Sequence, residues 1–250
     1  MPLPQSPTRH TQRPSRFRAV FLDVGGTLLH EVPPREAIYA EVAATHGRPL
    51  PPAEMRRRML AAHHELGRVH DGAFRYSDPW FEEYIARIFG PGPGGLGLDE
   101  DRLASATAEL FDRFESSGTF RLYPGARELL RDLRDAGLVL GVISNWSERL
   151  PRVLSALELD SAFDFVLSSA IEGVEKPDRA LFELALERAG VPAEAALHAG
   201  DHPAKDVAGA LDAGLDAVLV DHSGARGDLP GIRRVEGLAE LATLVLSETA

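Results

Sequence analysis

Short apolar runs alternate with amphipathic stretches in two parts of the chain. One part lies around residues 17–29, and the other continues from residue 121 to the end. Alternation of this kind predicts a parallel sheet with helices on both faces. The apolar runs predict strands at 18–22, 138–144, 163–168, 196–199 and 217–220. Helices are predicted at 126–136 and 180–189, because each of these patterns ends at a glycine.

The segment between these two parts, residues 31–120, has a different hydrophobic pattern. It contains four helical patterns and no convincing strand. Its last pattern recurs at helical spacing after Asp99, which is a suitable N-cap. The glycine- and proline-rich run at 90–97 predicts a mobile loop between helices. We therefore predict an all-helical cap domain inserted into a doubly wound α/β core formed by residues 17–30 and 121–250.

Composition narrows the classes of function. A chain of 250 residues, 44% of them apolar, can bury a substantial core. A formal net charge of −11 argues against nucleic acid as a partner, since phosphate backbones attract clustered Lys and Arg. The absence of cysteine excludes disulfides and thiolate zinc sites. No apolar stretch approaches the roughly 20 residues that span a bilayer. Residues 1–16 indicate a disordered arm, and we expect a cytoplasmic protein without a membrane partner. Composition leaves the oligomeric state open.

Polar side chains follow three of the predicted strands. Asp23 follows the first, Ser144 and Asn145 end the second, and Asp201 follows the fourth. Ligands in open α/β sheets bind beyond the carboxyl ends of the strands, so one site can collect all of these residues. Taken singly, each is also an ordinary turn residue. Their convergence at one edge of the sheet favours a binding or catalytic site.

The residue types at this edge suit phosphoryl chemistry. Asp23 is a competent nucleophile toward phosphorus when a metal and a cation neutralise the phosphoryl oxygens. Gly25 and Gly26 allow a tight turn close to a ligand. Thr27 can donate its hydroxyl to a substrate oxygen, or simply cap the turn. Lys176, one of two lysines in the chain, can balance the developing charge, or can be a solvated loop residue.

A pair of carboxylates follows the fourth strand on one short loop. Asp201 and Asp206 are hard oxygen ligands of the kind that Mg²⁺ prefers, together with waters and substrate oxygens. His202 and Lys205 lie between them; they can be surface residues, and we assign them no catalytic role. The loop therefore predicts a magnesium site that includes Asp23.

Four segments in this order resemble the four motifs of the haloacid dehalogenase superfamily of hydrolases. They are Asp23-Val24-Gly25-Gly26-Thr27, Ser144, Lys176, and the Asp201 to Asp206 loop. The resemblance covers nearly the whole chain beyond the amino-terminal arm. It implies a Rossmann-like core with a helical cap inserted after the first motif.

The resemblance also implies a role for each motif residue. Asp23 is the nucleophile, and Ser144 and Lys176 bind the phosphoryl group. Mg²⁺ is held by Asp23, the backbone carbonyl of Gly25 and Asp201. Asp206 is a further ligand or holds a metal-bound water, and Asn145 joins the substrate-binding residues as a neighbour of Ser144.

One motif position departs from the phosphatases of the superfamily. They usually carry a second Asp two residues after the nucleophile, as general acid and base, and here that position is Gly25. Haloacid dehalogenases also lack that residue. They need no metal, however, and usually have a Tyr where this chain has Phe182. Asp201 and Asp206 would repel Asp23 without a cation, which argues against dehalogenation.

Two further branches lack the second Asp. Phosphonoacetaldehyde hydrolases form a Schiff base with a cap lysine, and no lysine lies between Glu31 and Arg121. The group of haloacid dehalogenase-like hydrolase domain-containing protein 3 resembles this chain in its altered first motif, its acidic fourth motif and an aromatic cap segment. We interpret Trp80, Phe81 and Tyr84 of that segment as cap core by their helical spacing.

These observations predict a Mg²⁺-dependent phosphatase of a small phosphorylated metabolite, acting through an aspartyl-phosphate. General acid–base catalysis is worth roughly 10² to 10⁴ in rate, so activity without it should be slow or limited to good leaving groups. His30 or Glu31 are candidates to replace the missing group. The alternatives are a non-catalytic regulatory protein that binds metal and phosphate, and a 2-haloacid dehalogenase.

Overall fold

The computed structural model describes residues 16–225 and 230–248. The strands are β1 (Ala19–Leu22), β2 (Leu29–Glu31), β3 (Val69–His70), β4 (Ala73–Phe74), β5 (Phe120–Leu122), β6 (Val139–Ser144), β7 (Phe165–Ser168), β8 (Ala196–Gly200), β9 (Asp216–Val220) and β10 (Arg234–Val235). The helices are α1 (Arg35–Thr45), α2 (Pro52–Leu66), α3 (Asp78–Phe89), α4 (Glu100–Glu115), α5 (Ala126–Asp135), α6 (Leu150–Ala156), α7 (Ser169–Glu172), α8 (Arg179–Ala189), α9 (Gly209–Asp212) and α10 (Leu238–Ser247). A π-helical segment, Pro203–Ala208, leads directly into α9.

A parallel sheet in the order β10-β9-β8-β1-β6-β7 forms the centre of the molecule. The strand β1 lies between β6 and β8, so the ends of these three strands are neighbours at one edge. This is the place where open α/β sheets bind ligands. The predicted fold class, a Rossmann-like core, is confirmed. The five predicted strands are present with ends shifted by two residues or fewer, and β10 is an addition.

The strand β1 shows why the sheet is covered on both faces. Val20 and Leu22 pack into one apolar cluster with α5 and α10, whereas Ala19 and Phe21 pack into a second cluster with α8. All four side chains are fully buried. A strand buried on both faces reads as a continuous apolar run, which is the pattern that the sequence has at this point.

The segment between β2 and β5 carries α1 to α4 and its own apolar cluster, in which Trp80 and Tyr84 are buried, as predicted. The predicted N-cap is present, since Asp99 Oδ1 accepts from the Arg102 amide over 3.0 Å. The segment is not entirely helical, because β3 and β4 form a short antiparallel hairpin. The hairpin turns through Asp71 and Gly72, whose φ angles are 46° and 82°. An Asp-Gly pair is a strong hairpin signal, and the helical patterns around it conceal it.

Other predictions fall at the edges of the insertion and of the chain. The run at 90–97 lies between α3 and α4, where the Leu96 amide donates to the Ile88 carbonyl over 3.0 Å; its mobility stays a prediction. Residues 1–15 of the predicted arm lie outside the described residues, and Arg16 pairs with Glu248. Among the described residues, no helix combines the length and the apolar character needed to cross a membrane.

Candidate active site

Asp23 lies directly after β1, at the edge where the parallel strands end. The Ser144 hydroxyl, at the end of the neighbouring β6, donates to Asp23 Oδ1 over 2.8 Å. The Lys176 ammonium donates to the same oxygen, also over 2.8 Å. All three side chains are buried. These donors fix one carboxylate oxygen and leave Oδ2 without a hydrogen bond from the described residues.

Lys176 connects two carboxylates in the interior. Its ammonium donates to Asp23 Oδ1, to Asp206 Oδ1 over 2.5 Å and to the Ile143 carbonyl over 2.7 Å. An ammonium has three donors, so all of them are engaged. Burial lowers the pKa of Lys176, but the charges of Asp206 and Asp23 outweigh burial and raise it above its usual value. Lys176 is therefore a permanent cation beside Asp23.

Asp206 is held from several sides. Its Oδ1 accepts from Lys176 and lies 3.0 Å from His198 Nε2, and its Oδ2 accepts from the His202 amide over 2.8 Å. Burial opposes ionisation, yet Lys176 and the hydrogen bond from His198 hold the pKa of Asp206 well below its usual range. Burial and the neighbouring Lys176 lower the pKa of His198, so its ring is neutral. Its Nε2 carries the proton and donates, because an ionised carboxylate only accepts.

Asp201 follows β8 and faces the turn that follows β1. The φ angle of Gly26 is 78°, and a Cβ placed there would lie 2.8 Å from Asp201 Oδ2. Only glycine suits that position, for both its backbone conformation and the close approach. The turn therefore brings Asp201 into the same cavity as Asp23 and Lys176, which has a volume of about 220 Å³.

Three carboxylates meet at this edge of the sheet. One oxygen from each of Asp23, Asp201 and Asp206 lies within 4.8 Å of the others. One buried ammonium, Lys176, does not neutralise three negative charges, and like charges in a partly buried site repel. Hard oxygen ligands at this spacing fit Mg²⁺, which usually takes one or two protein carboxylates. The donor set therefore suits a divalent cation.

Gly25 lines this cavity, and the space beside it is taken by Trp146. A Cβ at position 25 would lie 3.0 Å from Cζ3 of the Trp146 ring, which is tighter than almost all real contacts. Trp146 follows Ser144 and Asn145 on the loop after β6 and is half-buried. A side chain at position 25 would therefore require the Trp146 ring to shift by a few tenths of an ångström. The position that lacks the usual acid/base Asp is thus in contact with Trp146, which forms a wall of the cavity.

Asn145 and Thr27, both predicted to bind substrate, are placed differently in the structure. The Asn145 side-chain amide donates to the Lys176 carbonyl over 2.9 Å, and its carbonyl accepts from the Lys176 amide over 2.8 Å. Asn145 thus positions Lys176, while still lining the cavity. Thr27 is fully buried and does not line the cavity. The tight turn directs Thr27 inward, so its position does not support the predicted contact with a substrate oxygen.

The candidate replacements for the missing acid and base are engaged elsewhere. Glu31 lines the cavity, but both Nε and Nη2 of Arg35 donate to its Oε1. Burial raises the pKa of Glu31, and the charge and hydrogen bonds of Arg35 outweigh burial and lower it. Glu31 is therefore ionised and a weak base. His30 does not line the cavity, and its ring packs on Tyr123 with centroids 4.6 Å apart.

Comparison with known proteins decides the family. The sequence model of the haloacid dehalogenase-like hydrolase family matches residues 17–214. The chain belongs to this family. Human haloacid dehalogenase-like hydrolase domain-containing protein 3 is 31% identical over 209 residues, covering 82% of each chain. The similarity to this group that the motifs indicate is thus confirmed.

Relatives of this hydrolase differ in activity. Phosphoserine phosphatase of Thermus thermophilus is 32% identical over 224 residues, covering 82% of this chain and 89% of the relative. The crystal structure of 2-haloacid dehalogenase from Pseudomonas syringae pv. tomato superposes with a TM-score of 0.67 at 27% identity, covering 94% of this chain and all of that chain. The fold therefore accommodates both phosphate-ester hydrolysis and dehalogenation. Only the residues of the site can indicate which of the two reactions a member of the family catalyses.

Sequence reasoning overlooked two residues of the site. Trp146 stands next to the Ser144 motif, and only its packing on Gly25 reveals its place. His198 is a polar residue in the otherwise apolar strand β8, and it is fully buried. A buried histidine needs a partner, so its position in the strand was the available signal. Phe182 packs edge-on against His198, with centroids 5.3 Å apart, inside the core.

Proposed function

We propose that this hydrolase is a Mg²⁺-dependent phosphatase that works through an aspartyl-phosphate and favours substrates with stable leaving groups. One observation carries the proposal: three carboxylates and the Lys176 ammonium share a cavity in which position 25 offers no carboxylate. The substrate is a small phosphorylated metabolite. A cytoplasmic location remains part of this proposal.

The first step uses Asp23. Its Oδ2, which has no hydrogen bond from the described residues, attacks phosphorus while Ser144 and Lys176 hold Oδ1. A bond forms between Oδ2 and phosphorus as the bond from phosphorus to the leaving oxygen breaks. The electron pair departs with the leaving oxygen. No group equivalent to the usual second Asp lies at position 25 to protonate it, so the departing oxyanion must be stable by itself.

The second step regenerates the enzyme. Water attacks the phosphorus of the aspartyl-phosphate, the bond to Asp23 breaks, and inorganic phosphate leaves with the proton of the water passing to phosphate or solvent. This step also proceeds without a shuttle at position 25. It is therefore expected to be slow, because general base catalysis is worth roughly 10² to 10⁴ in rate.

Asp23, Asp201 and the carbonyl of Gly25 would hold the Mg²⁺. Both oxygens of Asp206 already accept hydrogen bonds, which favours a role through a water over direct ligation. When bound, the ion supplies positive charge to the phosphoryl oxygens as phosphorus is attacked. Lys176, whose donors are all engaged, contributes charge and position beside the nucleophile.

A turnover assay with acetyl phosphate, p-nitrophenyl phosphate and phosphoserine tests this function. We expect Mg²⁺-dependent hydrolysis of the first two and a kcat/KM for phosphoserine lower by about 10² or more, since its alkoxide must be protonated. Asp23→Asn should abolish turnover while preserving the fold, as checked by thermal unfolding. Turnover that persists in EDTA would contradict the proposal, and release of halide from 2-haloacids would point to dehalogenation.

The packing of Trp146 on Gly25 also favours a second function, a regulatory protein that binds metal and phosphate without turnover. In that case phosphorylated ligands would raise the unfolding temperature only with Mg²⁺ present. They would also remain intact after long incubation. Intact ligand together with no burst of product distinguishes this function from slow catalysis.

A further inference from the structure

A second cavity lies between the helical insertion and the sheet edge. Its volume is about 140 Å³, and its walls come from α1 to α4 and from the loop after β6. Aromatic side chains dominate these walls, among them Tyr39, Tyr76, Trp80, Phe81, Tyr84 and Trp146. Trp80 and Tyr84 stack with centroids 5.3 Å apart, so one side of the cavity is a fixed aromatic surface.

This aromatic cavity adjoins the cavity that holds Asp23, Asp201 and Asp206, which we call the carboxylate cavity. Arg35, Tyr76, Asn145 and Trp146 line both of them. Asn145 follows Ser144, which donates to the nucleophile Asp23. The two cavities therefore adjoin, so a group attached to a phosphoryl in the carboxylate cavity would lie beside the aromatic one.

The charged residues at the aromatic cavity are neutralised by partners. Arg149 pairs with both Asp78 and Glu115, and its guanidinium lies over the Phe111 ring, 3.8 Å from the centroid. Arg35 pairs with Glu31. The cavity thus offers ring faces and apolar edges to an occupant, with no unpaired charge among these residues to attract a carboxylate or ammonium group.

The size of the cavity admits one ring. An engineered apolar cavity of about 150 Å³ in another protein binds benzene. A volume of about 140 Å³ is similar, so a phenyl group fits. Tyr76, at the junction of the two cavities, has a φ of 72°, a conformation that bulky residues seldom adopt.

We infer that this cavity receives the ring of an aryl phosphate monoester, which makes a single-ring phenol the leaving group of the reaction. The inference rests on the proposed function and narrows its substrate class. A phenol ionises near pH 10, as Tyr does, about six units below water. The phenolate therefore departs without a proton when Asp23 Oδ2 attacks phosphorus, and it takes one from solvent after release.

Gly25 contributes to both halves of this inference. Its lack of a side chain removes the proton donor, and it also lets the Trp146 ring occupy the adjoining space. An alkyl phosphate needs the donor, whereas an aryl phosphate benefits from the ring. The same glycine thus fits the site to a leaving group that is aromatic and stable as an anion.

Binding of non-hydrolysable phosphonates tests the inference without turnover. The chain has two tryptophans, Trp80 and Trp146, and both line the aromatic cavity, so intrinsic fluorescence reports on it. With Mg²⁺ present, we expect phenylphosphonate to bind at least about tenfold tighter than methylphosphonate and to change the fluorescence. Equal affinities for phenyl- and methylphosphonate, or no binding by either, would overturn the inference.

A pair of matched variants assigns the preference to this cavity. Phe81 lines it, whereas Phe74 on β4 does not, and both are half-buried in the insertion. Phe81→Ala should weaken phenylphosphonate binding about five- to tenfold and leave methylphosphonate unchanged. Phe74→Ala should change neither. If Phe81→Ala fails to fold, Phe81→Leu keeps the packing and should show a smaller loss of the same kind; equal effects of the Phe81 and Phe74 variants would contradict the assignment.

Turnover separates failure of this inference from failure of the proposed function. Acetyl phosphate has a good leaving group but no ring, so the proposed function predicts its hydrolysis in either case. The inference adds that phenyl phosphate has the higher kcat/KM, in spite of its less stable leaving group. Hydrolysis of acetyl phosphate with no phenyl preference overturns only the inference. A phenylphosphonate preference without any turnover overturns the proposed function, and with it the phenol as a leaving group, and leaves the aromatic cavity as a binding site for the ring.

Discussion

The carboxylate cavity and the aromatic cavity share a wall but are stabilised in different ways. In the carboxylate cavity, hydrogen bonds and charges fix the side chains, and Lys176 alone engages three acceptors. In the aromatic cavity, ring packing fixes them, as in the stack of Trp80 on Tyr84. Polar geometry specifies a reaction closely, whereas packed rings specify only the size and polarity of an occupant. The carboxylate cavity thus determines the type of reaction, and the aromatic cavity determines which substrates fit.

Removing Lys176 should have the largest effect, because it breaks the charge balance of the carboxylate cavity. Lys176→Met leaves Asp23 and Asp206 buried without their cation, which costs about 3 to 5 kcal/mol when one member of a buried pair is lost. The unfolding temperature should fall by roughly 6 to 20 °C for a chain of this size. Mg²⁺ should restore part of the loss, since a cation then faces the carboxylates. Differential scanning calorimetry with and without Mg²⁺ measures both effects.

Lys205→Met is the matched control for this prediction. Lys205 is the other lysine of the chain, and it also lines the carboxylate cavity, but it is half-buried. Its loss should change the unfolding temperature far less. Equal changes in the two variants would mean that net charge, and not the buried contacts of Lys176, sets the stability of the site.

The carboxylate cavity and the aromatic cavity meet at Gly25, and the second prediction concerns this residue. Gly25→Asp supplies the missing acid and base, but its Cβ would lie 3.0 Å from the Trp146 ring. Overpacking of this kind costs about 1 to 3 kcal/mol, so we expect the single variant to gain little activity. Gly25→Asp combined with Trp146→Ala removes the obstruction. It should raise kcat/KM for phosphoserine by up to about 10², while phenyl phosphate loses its advantage.

A double-mutant cycle measures how far the two positions are coupled. Trp146→Ala alone should reduce hydrolysis of phenyl phosphate and leave that of acetyl phosphate nearly unchanged. If Gly25→Asp alone raises the rate as much as the double variant does, the Trp146 ring moves aside at little cost. The packing of Trp146 would then not explain why position 25 is glycine and not Asp.

The carboxylate cavity could be predicted from the sequence because its residues follow strands. A run such as that before Asp23 specifies a strand, and parallel strands bring their carboxyl ends to one edge, so Asp23, Ser144 and Asp201 had to converge. The aromatic cavity could not be predicted in this way. Trp80, Phe81 and Tyr84 recur at helical spacing, which predicts core, and Trp80 and Tyr84 are buried in the apolar cluster of the insertion, with Phe81 packed against it. The same three rings also line the cavity, which spacing alone does not indicate. Spacing fixes the face of a helix, but not what that face encloses.

The smallest expected effect concerns Glu31, which lies in the carboxylate cavity yet has its charge paired with Arg35 on α1. Because the pair is partly exposed, we expect Glu31→Gln to cost only about 0.5 kcal/mol at neutral pH. The folded-state pKa of Glu31 lies below its usual value of 4.5, so its contribution is present above that pH and is lost as the pH falls through the lowered pKa. Urea unfolding at pH 7 and at pH 4 should therefore show the two proteins converging in acid.

The same variant tests whether Glu31 replaces the missing acid and base. A residue in that role is worth roughly 10² to 10⁴ in rate, whereas a residue that only anchors Arg35 should change kcat by less than about threefold. An ionised carboxylate with a lowered pKa is a weak base and has no proton to give at neutral pH. We therefore expect Glu31→Gln to retain turnover of phenyl phosphate. A hundredfold loss in the folded variant would move the proton transfer to Glu31, and leaving-group stability would no longer be needed to explain a site with glycine at position 25.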